Sequence, residues 1–136
     1  METASKAGKF LLKVDNAQNV TIAYDVNSLV TYTVEKGKAF RKNRVIRTLD
    51  NIKKDLGIIY EGEYVGNFDN DPDGLRLLKG AYCDYFKELN RKHAIKNFET
   101  DDLTVAEGKE ADSVYVALAV QPVDSIDKIY VDVNLS

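Results

Sequence analysis

A chain of 136 residues with 44% hydrophobic and 30% charged side chains has the composition of an ordinary folded domain. Its net charge of −3 gives no overall pull toward nucleic acid or an anionic membrane, and no apolar run approaches the roughly 20 residues of a membrane-spanning helix. One cysteine, Cys83, excludes an internal disulfide, and the first residues lack the apolar core of a secretory signal; both fit a reducing compartment such as the cytoplasm.

Residues 1–9 are small and polar and predict a flexible N-terminal arm. Phe10 to Val14 and Val20 to Tyr24 read as paired strands, with Asp15, Asn16 and Gln18 supplying the turn. Leu29 to Val34, rich in β-branched and aromatic residues, predicts a third strand that completes a small meander. A basic run follows: Lys36, Lys38, Arg41, Lys42, Arg44 and Arg47. From Asn43, read as the N-cap, Val45, Ile46, Leu49, Ile52, Lys53 and Leu56 fall on one helix face, and Gly57 is expected to end that helix. Gly57 to Gly74 reads as a loop, punctuated by four glycines and a proline and anchored by Tyr60, Tyr64 and Phe68.

Asp71 as N-cap and Pro72 at the first helical position start a second helix that runs to about Lys92. Its seam is Leu78, Tyr82, Tyr85 and Leu89, with Leu75, Ala81 and Phe86 beside it, and Arg91, Lys92 and His93 suit its negative end. Ala94 to Thr100 is a connector anchored by Ile95 and Phe98. Leu103 to Val105 is a short strand, and Glu107-Gly108-Lys109 turns the chain into a longer one. In that strand Val114, Val116, Leu118 and Val120 share a face, and Pro122 marks its end because it cannot donate to a ladder. A last alternating run puts Ile129, Val131, Val133 and Leu135 on one face and Tyr130, Asp132 and Asn134 on the other. The expected architecture is α+β: a single domain over residues 10–127, a mixed sheet with two main helices, flanked by terminal arms at 1–9 and 128–136.

No catalytic constellation assembles from these residues. Asp69, Asp71, Asp73 and Gly74 match the opening of a calcium-binding loop, but the closing bidentate glutamate is replaced by Gly80, so a capped helix start is the better reading. One cysteine and one histidine fall short of a zinc site, and His93 has no nucleophile that the sequence places beside it. Cys83, in mid-helix, reads as a small buried hydrophobe. No metal, cofactor or catalytic residue is therefore expected. The basic run is either a solvated surface or a patch for an acidic partner; with Phe40 as its only interleaved aromatic, it is a poor nucleic-acid site.

The last strand can be weighed by magnitudes. Fixing each of its residues costs about 1–2 kcal/mol of backbone entropy. Each of its four apolar side chains returns about 1.5–3 kcal/mol on burial, and each ladder bond about 1 kcal/mol. The balance is near zero, so such a strand is held firmly only on a sheet edge that already exists. That edge belongs either to its own sheet or to a neighbouring subunit.

Several segments resemble the C-terminal domain of contractile tail sheath proteins of myophages and phage-tail-like bacteriocins. They are Glu35-Lys36-Gly37-Lys38, Asn43 to Asp50, Tyr64-Val65-Gly66 with Asn70 and Asp73-Gly74, Ala94 to Phe98, Asp112-Ser113-Val114 and Gln121 to Tyr130. The resemblance runs from about residue 9 to the end, and Gln-Pro-Val-Asp-Ser is its most specific part. It implies a structural subunit of a virion or bacteriocin tail, assembled in the bacterial cytoplasm. Such subunits polymerise with sixfold helical symmetry around a tail tube protein, exchange β-strands between subunits and drive contraction for injection. Carried over by position, Ile129, Tyr130, Val131, Asp132, Val133, Asn134 and Leu135 form the donated strand, and residues near Thr3 to Gly8 lie in a second arm. The basic residues from Lys36 to Arg47 are candidates for tube contact. Sheath proteins of this kind carry a long upstream portion with outer domains, so this sequence reads as a piece of one or as a reduced form. The competing readings are an adaptor that binds one protein through residues 36–47, and a small enzyme built on His93 and the acidic loop.

Overall fold

The structure, a computed structural model, describes residues 2–64, 67, 69–124 and 130–134. They hold three α-helices, α1 (Glu2–Lys6), α2 (Asn43–Ile59) and α3 (Pro72–Arg91). The strands are β1 (Leu11–Val14), β2 (Val20–Tyr24), β3 (Ile95–Lys96), β4 (Leu103–Glu107), β5 (Val114–Leu118) and β6 (Gln121–Pro122). The fold class is α+β. The strands, however, form three separate antiparallel pairs, β1–β2, β3–β6 and β4–β5, where one mixed sheet was expected.

The missing third strand of the meander explains part of that difference. Leu29 to Val34 joins no ladder among the described residues, and its amides at Leu29 and Thr33 are used in local turns. The Asn27 carboxamide accepts from Leu29 N at 3.0 Å and donates to Phe40 O at 2.8 Å. Thr33 N donates to Lys36 O, and Lys36 N returns a bond to the Thr33 hydroxyl, each at 3.0 Å. Strand propensity is satisfied only where an edge is within reach.

The chain divides into two compact units, one from residues 1–47 with 124–136, the other from residues 48–123. In the first, β1 and β2 pair with Leu12 opposite Ile22, Lys13 opposite Thr21 and Val14 opposite Val20. The Asp15 carboxylate fixes the turn by accepting from Ala17 N at 2.8 Å and Asn19 N at 2.9 Å, with Gln18 at φ 62°. Those backbone donors, Asn19 foremost, hold the Asp15 carboxyl below its usual range. Residues 2–6 are a short helix where a flexible arm was expected, and Ser5 on it is buried, its hydroxyl accepting from Arg41 Nη2 at 3.3 Å. Asn43 is the first residue of α2, and its side chain donates to Asp25 Oδ1 at 2.7 Å.

The second unit holds the core. Leu78, Tyr82, Cys83 and Phe86 on α3 pack with Ile52 of α2, Ile95 and Leu103, all buried. Val114, Val116, Leu118 and Val120 pack against this cluster together, as the period-two face requires. Registry enforces it: Leu103 stands opposite Leu118 and Val105 opposite Val116. The strand stops at Leu118, and Gln121–Pro122 instead pairs with Ile95–Lys96. Proline is tolerated in so short a ladder because the neighbouring donor does the bonding, Val123 N to Ala94 O at 3.0 Å.

Two helix ends show local rules winning and losing. Asp71 caps α3 as expected, its carboxylate accepting from Gly74 N at 2.7 Å with Pro72 at the start. A Cβ at position 74 would overlap the Asp69 carbonyl oxygen, so the tight entry to the helix needs glycine. Gly74→Ala is expected to cost about 1–3 kcal/mol, read as a lowered urea midpoint. Gly57, by contrast, does not end α2. The helix passes through it and continues as a π-helical turn, Tyr60–Tyr64, where a loop was expected. Leu56, Ile59, Tyr60 and Tyr64 all pack on the core, which outweighs the roughly 1 kcal/mol that an interior glycine costs a helix. Tyr60 and Tyr64 are thus anchors; Phe68 lies outside the described residues.

Candidate functional site

Among its described residues, Tyr130 to Asn134, the C-terminal tail makes no ladder in this chain. Tyr130 to Asn134 are described, and each is exposed: Tyr130 to 89%, Val131 to 78% and Val133 to 76%. Ile129 and Leu135, the other two apolar residues of that strand, lie outside the described residues. A segment with Val131 and Val133 bare lacks the burial that would offset the cost of ordering it as a strand.

A matching vacancy lies on the β1–β2 hairpin. Neither outer edge of it has a ladder partner among the described residues. Leu12, Val14, Val20 and Ile22 share one face by register, and each is more than half exposed. An isolated two-stranded hairpin is marginal in water, and a third strand is what such a pair needs.

The basic run does not behave as one patch. Arg41 is buried, its Nη2 on Ser5, so it is withdrawn from any docking surface, contrary to expectation. The cause is local: the 3₁₀ turn Lys38–Arg41 points it inward beside α1. Arg47 is tied to Asp25 at 3.0 Å and Lys42 to Asp124 at 3.7 Å. Lys36, Lys38 and Arg44 are exposed.

The residues weighed for chemistry serve structure. Cys83 is buried in the core. His93 sits at φ 59° where α3 stops, with Ala94 N bonded back to Leu89 O at 3.0 Å, a left-handed helix-ending position. Among the described residues no three His, Cys, Asp or Glu side chains gather to hold a metal. Burial, aided by a 2.6 Å bond from its hydroxyl to Asp55 Oδ2, pushes the Tyr85 phenol up, and this pair ties α3 to the body of α2.

At the end of α3, the Arg91 guanidinium grips Glu88 through Nε at 2.8 Å and Nη2 at 2.6 Å, with Lys92 at 3.4 Å. The Arg91 bonds foremost hold the Glu88 carboxyl down at about 2, against an ordinary 4.5. A lowered carboxyl stabilises the fold in full above its unfolded pKa and loses that contribution as pH falls through the folded one. The contribution of Glu88 is therefore present above about pH 4.5 and fades toward pH 2. An NMR titration of its side chain is expected to give a midpoint near 2, and Arg91→Ala to move it back toward 4.5.

Residues 35–136 match the family model of the phage tail sheath C-terminal domain. The chain belongs to that family. This sheath domain is 34% identical over 137 residues to the phage-like element PBSX protein XkdK of Bacillus subtilis, covering 95% of this chain and 29% of that protein. It is 32% identical over 105 residues to the tail sheath protein of Clostridium phage phiCD119, covering 77% of this chain and 29% of that one. The sheath domain thus spans less than a third of these relatives. The crystal structure of a sheath tail protein from Desulfitobacterium hafniense superposes with a TM-score of 0.78 at 40% identity, over 96% of this chain and 30% of that one. One from Listeria innocua gives 0.78 at 32% identity, over 96% and 31%.

Proposed function

We propose that this sheath domain is a structural, non-catalytic building block of a contractile phage tail, and that its C-terminal strand joins one copy to the next. Residues 129–135 of one copy add to an outer edge of the β1–β2 hairpin of another. The observation that carries this reading is the double vacancy: a segment of alternating side chains exposed at Tyr130 to Asn134, and a hairpin with an exposed apolar face and no ladder partner on its outer edges among the described residues. Laid on that edge, Val131 and Val133 extend the face of Leu12, Val14, Val20 and Ile22, while Asp132 and Asn134 stay on the other side.

The contact is heterologous, so repeating it builds a ring or an open helix and not a closed pair. A sixfold helical sheath around a tail tube, able to rearrange for injection, is the polymer that family membership supports. Covalently continuous arms keep copies linked while the bodies move. Within the basic run, the exposed Lys36 and Lys38 are available to an acidic surface on a partner.

A cryo-electron map of filaments assembled from the purified chain tests this. Residues 129–135 are expected to lie in register on the hairpin of a neighbouring copy. A filament whose tail folds back wholly onto its own protomer would remove the reading.

A further inference from the structure

Charge is unevenly distributed along this chain. Residues 1–47 carry nine Lys and Arg against four Asp and Glu, a net of +5, while residues 48–123 carry nine against fifteen, a net of −6. Two local features sharpen that asymmetry into complementary shapes.

The first is a cleft of about 400 Å³ within residues 48–123. Tyr60, Tyr64, Leu78 and Val114 line it, and Asp69 and Asp112 stand at its rim. A second hollow of about 290 Å³ shares Tyr60, Leu78 and Val114, so the apolar floor continues along the groove. The rim is built: Asn70 Nδ2 donates to Ala111 O at 2.7 Å and Ser113 O at 3.3 Å, tying the two acidic segments together.

The second is the turn at Thr33–Lys36, closed by its two 3.0 Å bonds. At its tip Val34 is fully exposed, as no core residue would be, and Lys36 and Lys38 follow it, outweighing Glu35. The turn is an apolar knob with a basic collar. The cleft is a tyrosine-walled hole with Leu78 and Val114 on its floor and an acidic collar. Tyrosine-lined pockets that desolvate an apolar anchor are where interface energy concentrates, and flanking opposite charges set the approach.

We infer that the Val34 turn of one copy seats in the tyrosine cleft of a neighbouring copy, with Lys36 and Lys38 facing Asp69 and Asp112. This is a second contact between copies, separate from the donated strand and directed, like it, head to tail. It assigns the exposed lysines to another copy of this chain and not to the tube.

Mixed disulfide trapping tests it, because the native Cys83 is buried. A V34C chain and an A111C chain, both altered at exposed positions, are mixed under mild oxidation. The expected product is the mixed dimer, in excess over either homodimer. Adding K36E and K38E to the first chain is expected to cut its rate of formation about tenfold, the equivalent of about 1.4 kcal/mol, and adding D69K and D112K to the second to restore it. V131D and V133D in both chains should leave the trapping unchanged, so failure of the strand-exchange reading and failure of this one are told apart. No mixed dimer, a V34C homodimer as the main product, or charge reversals without effect would each overturn the assignment.

Discussion

Replacing Phe86 with alanine is expected to lower the unfolding free energy by about 3–5 kcal/mol, the largest single-residue stability loss expected among the described residues. Phe86 is fully buried at the centre of the core face of α3. Its ring meets Tyr85 edge-on at 5.2 Å and 70°, and Phe98 at 5.2 Å and 35°. Removing it loses the transfer free energy of the ring, both aromatic contacts, and the packing of a cavity that α3 and the β4–β5 ladder cannot close together. A domain of this size has about 5–15 kcal/mol in total, so the variant stands near its unfolding threshold at room temperature. Urea denaturation should show a lower midpoint at nearly unchanged slope. Leu77→Ala, on the exposed side of the same helix, is the control and should stay within about 0.5 kcal/mol. Equal losses in the two variants would mean that the core does not lie where the structure puts it.

Placing aspartate at both Val131 and Val133 should leave stability untouched and end polymerisation. Both valines are exposed in the protomer, so nothing is lost from the fold. In the proposed joint each burial is worth about 1.5–3 kcal/mol, and two carboxylates would have to be desolvated against the hairpin's apolar face. The loss of about 3 kcal/mol or more weakens each joint by at least about a hundredfold. In the proposed polymer every copy uses the same joint, so the effect repeats along it. Light scattering and negative-stain images of the variant are expected to show no filaments, with a thermal unfolding curve matching the parent. Filaments of normal length from this variant would contradict strand donation directly.

The two predictions probe different levels. The first concerns burial that one copy completes by itself. The second concerns burial left incomplete, which is why the tail and the hairpin read as halves of a joint. The same reasoning separates the basic residues. Arg41 is consumed inside the protomer, while Arg47 stays exposed beside Asp25, so a run that looks uniform in the sequence is only partly open to partners.

Elements with a strong local cause were legible beforehand. The start of α3 follows from Asp71, Pro72 and the glycine at 74, all within a few residues of one another. The buried face of β5 follows from strict alternation, and the turn at Asp15 from a carboxylate two and four residues before the amides it binds. The resemblance carried by Gln121 to Tyr130 pointed to the family that the comparison then identified. Elements that depend on a distant partner were misread. Leu29 to Val34 has the composition of a strand but ties the amides of Leu29 and Thr33 into local turns, and Gly57 has the chemistry of a helix stop, overruled by tyrosines that pack on the core. The tyrosine cleft left no signal at all, since Tyr60 and Val114 meet only after 54 residues of chain have folded.

The amino-acid sequence alone determined the two main helices, the α+β class, the β1–β2 hairpin and the apolar stripe of the tail, because each rests on side-chain periodicity or on bonds between near neighbours. Only the tertiary structure decided that the described strands pair two by two, that Arg41 turns inward, and that Val131 and Val133 stay exposed. Those outcomes depend on which surfaces reach one another, and pairing energies between distant segments are not written in any local run of residues.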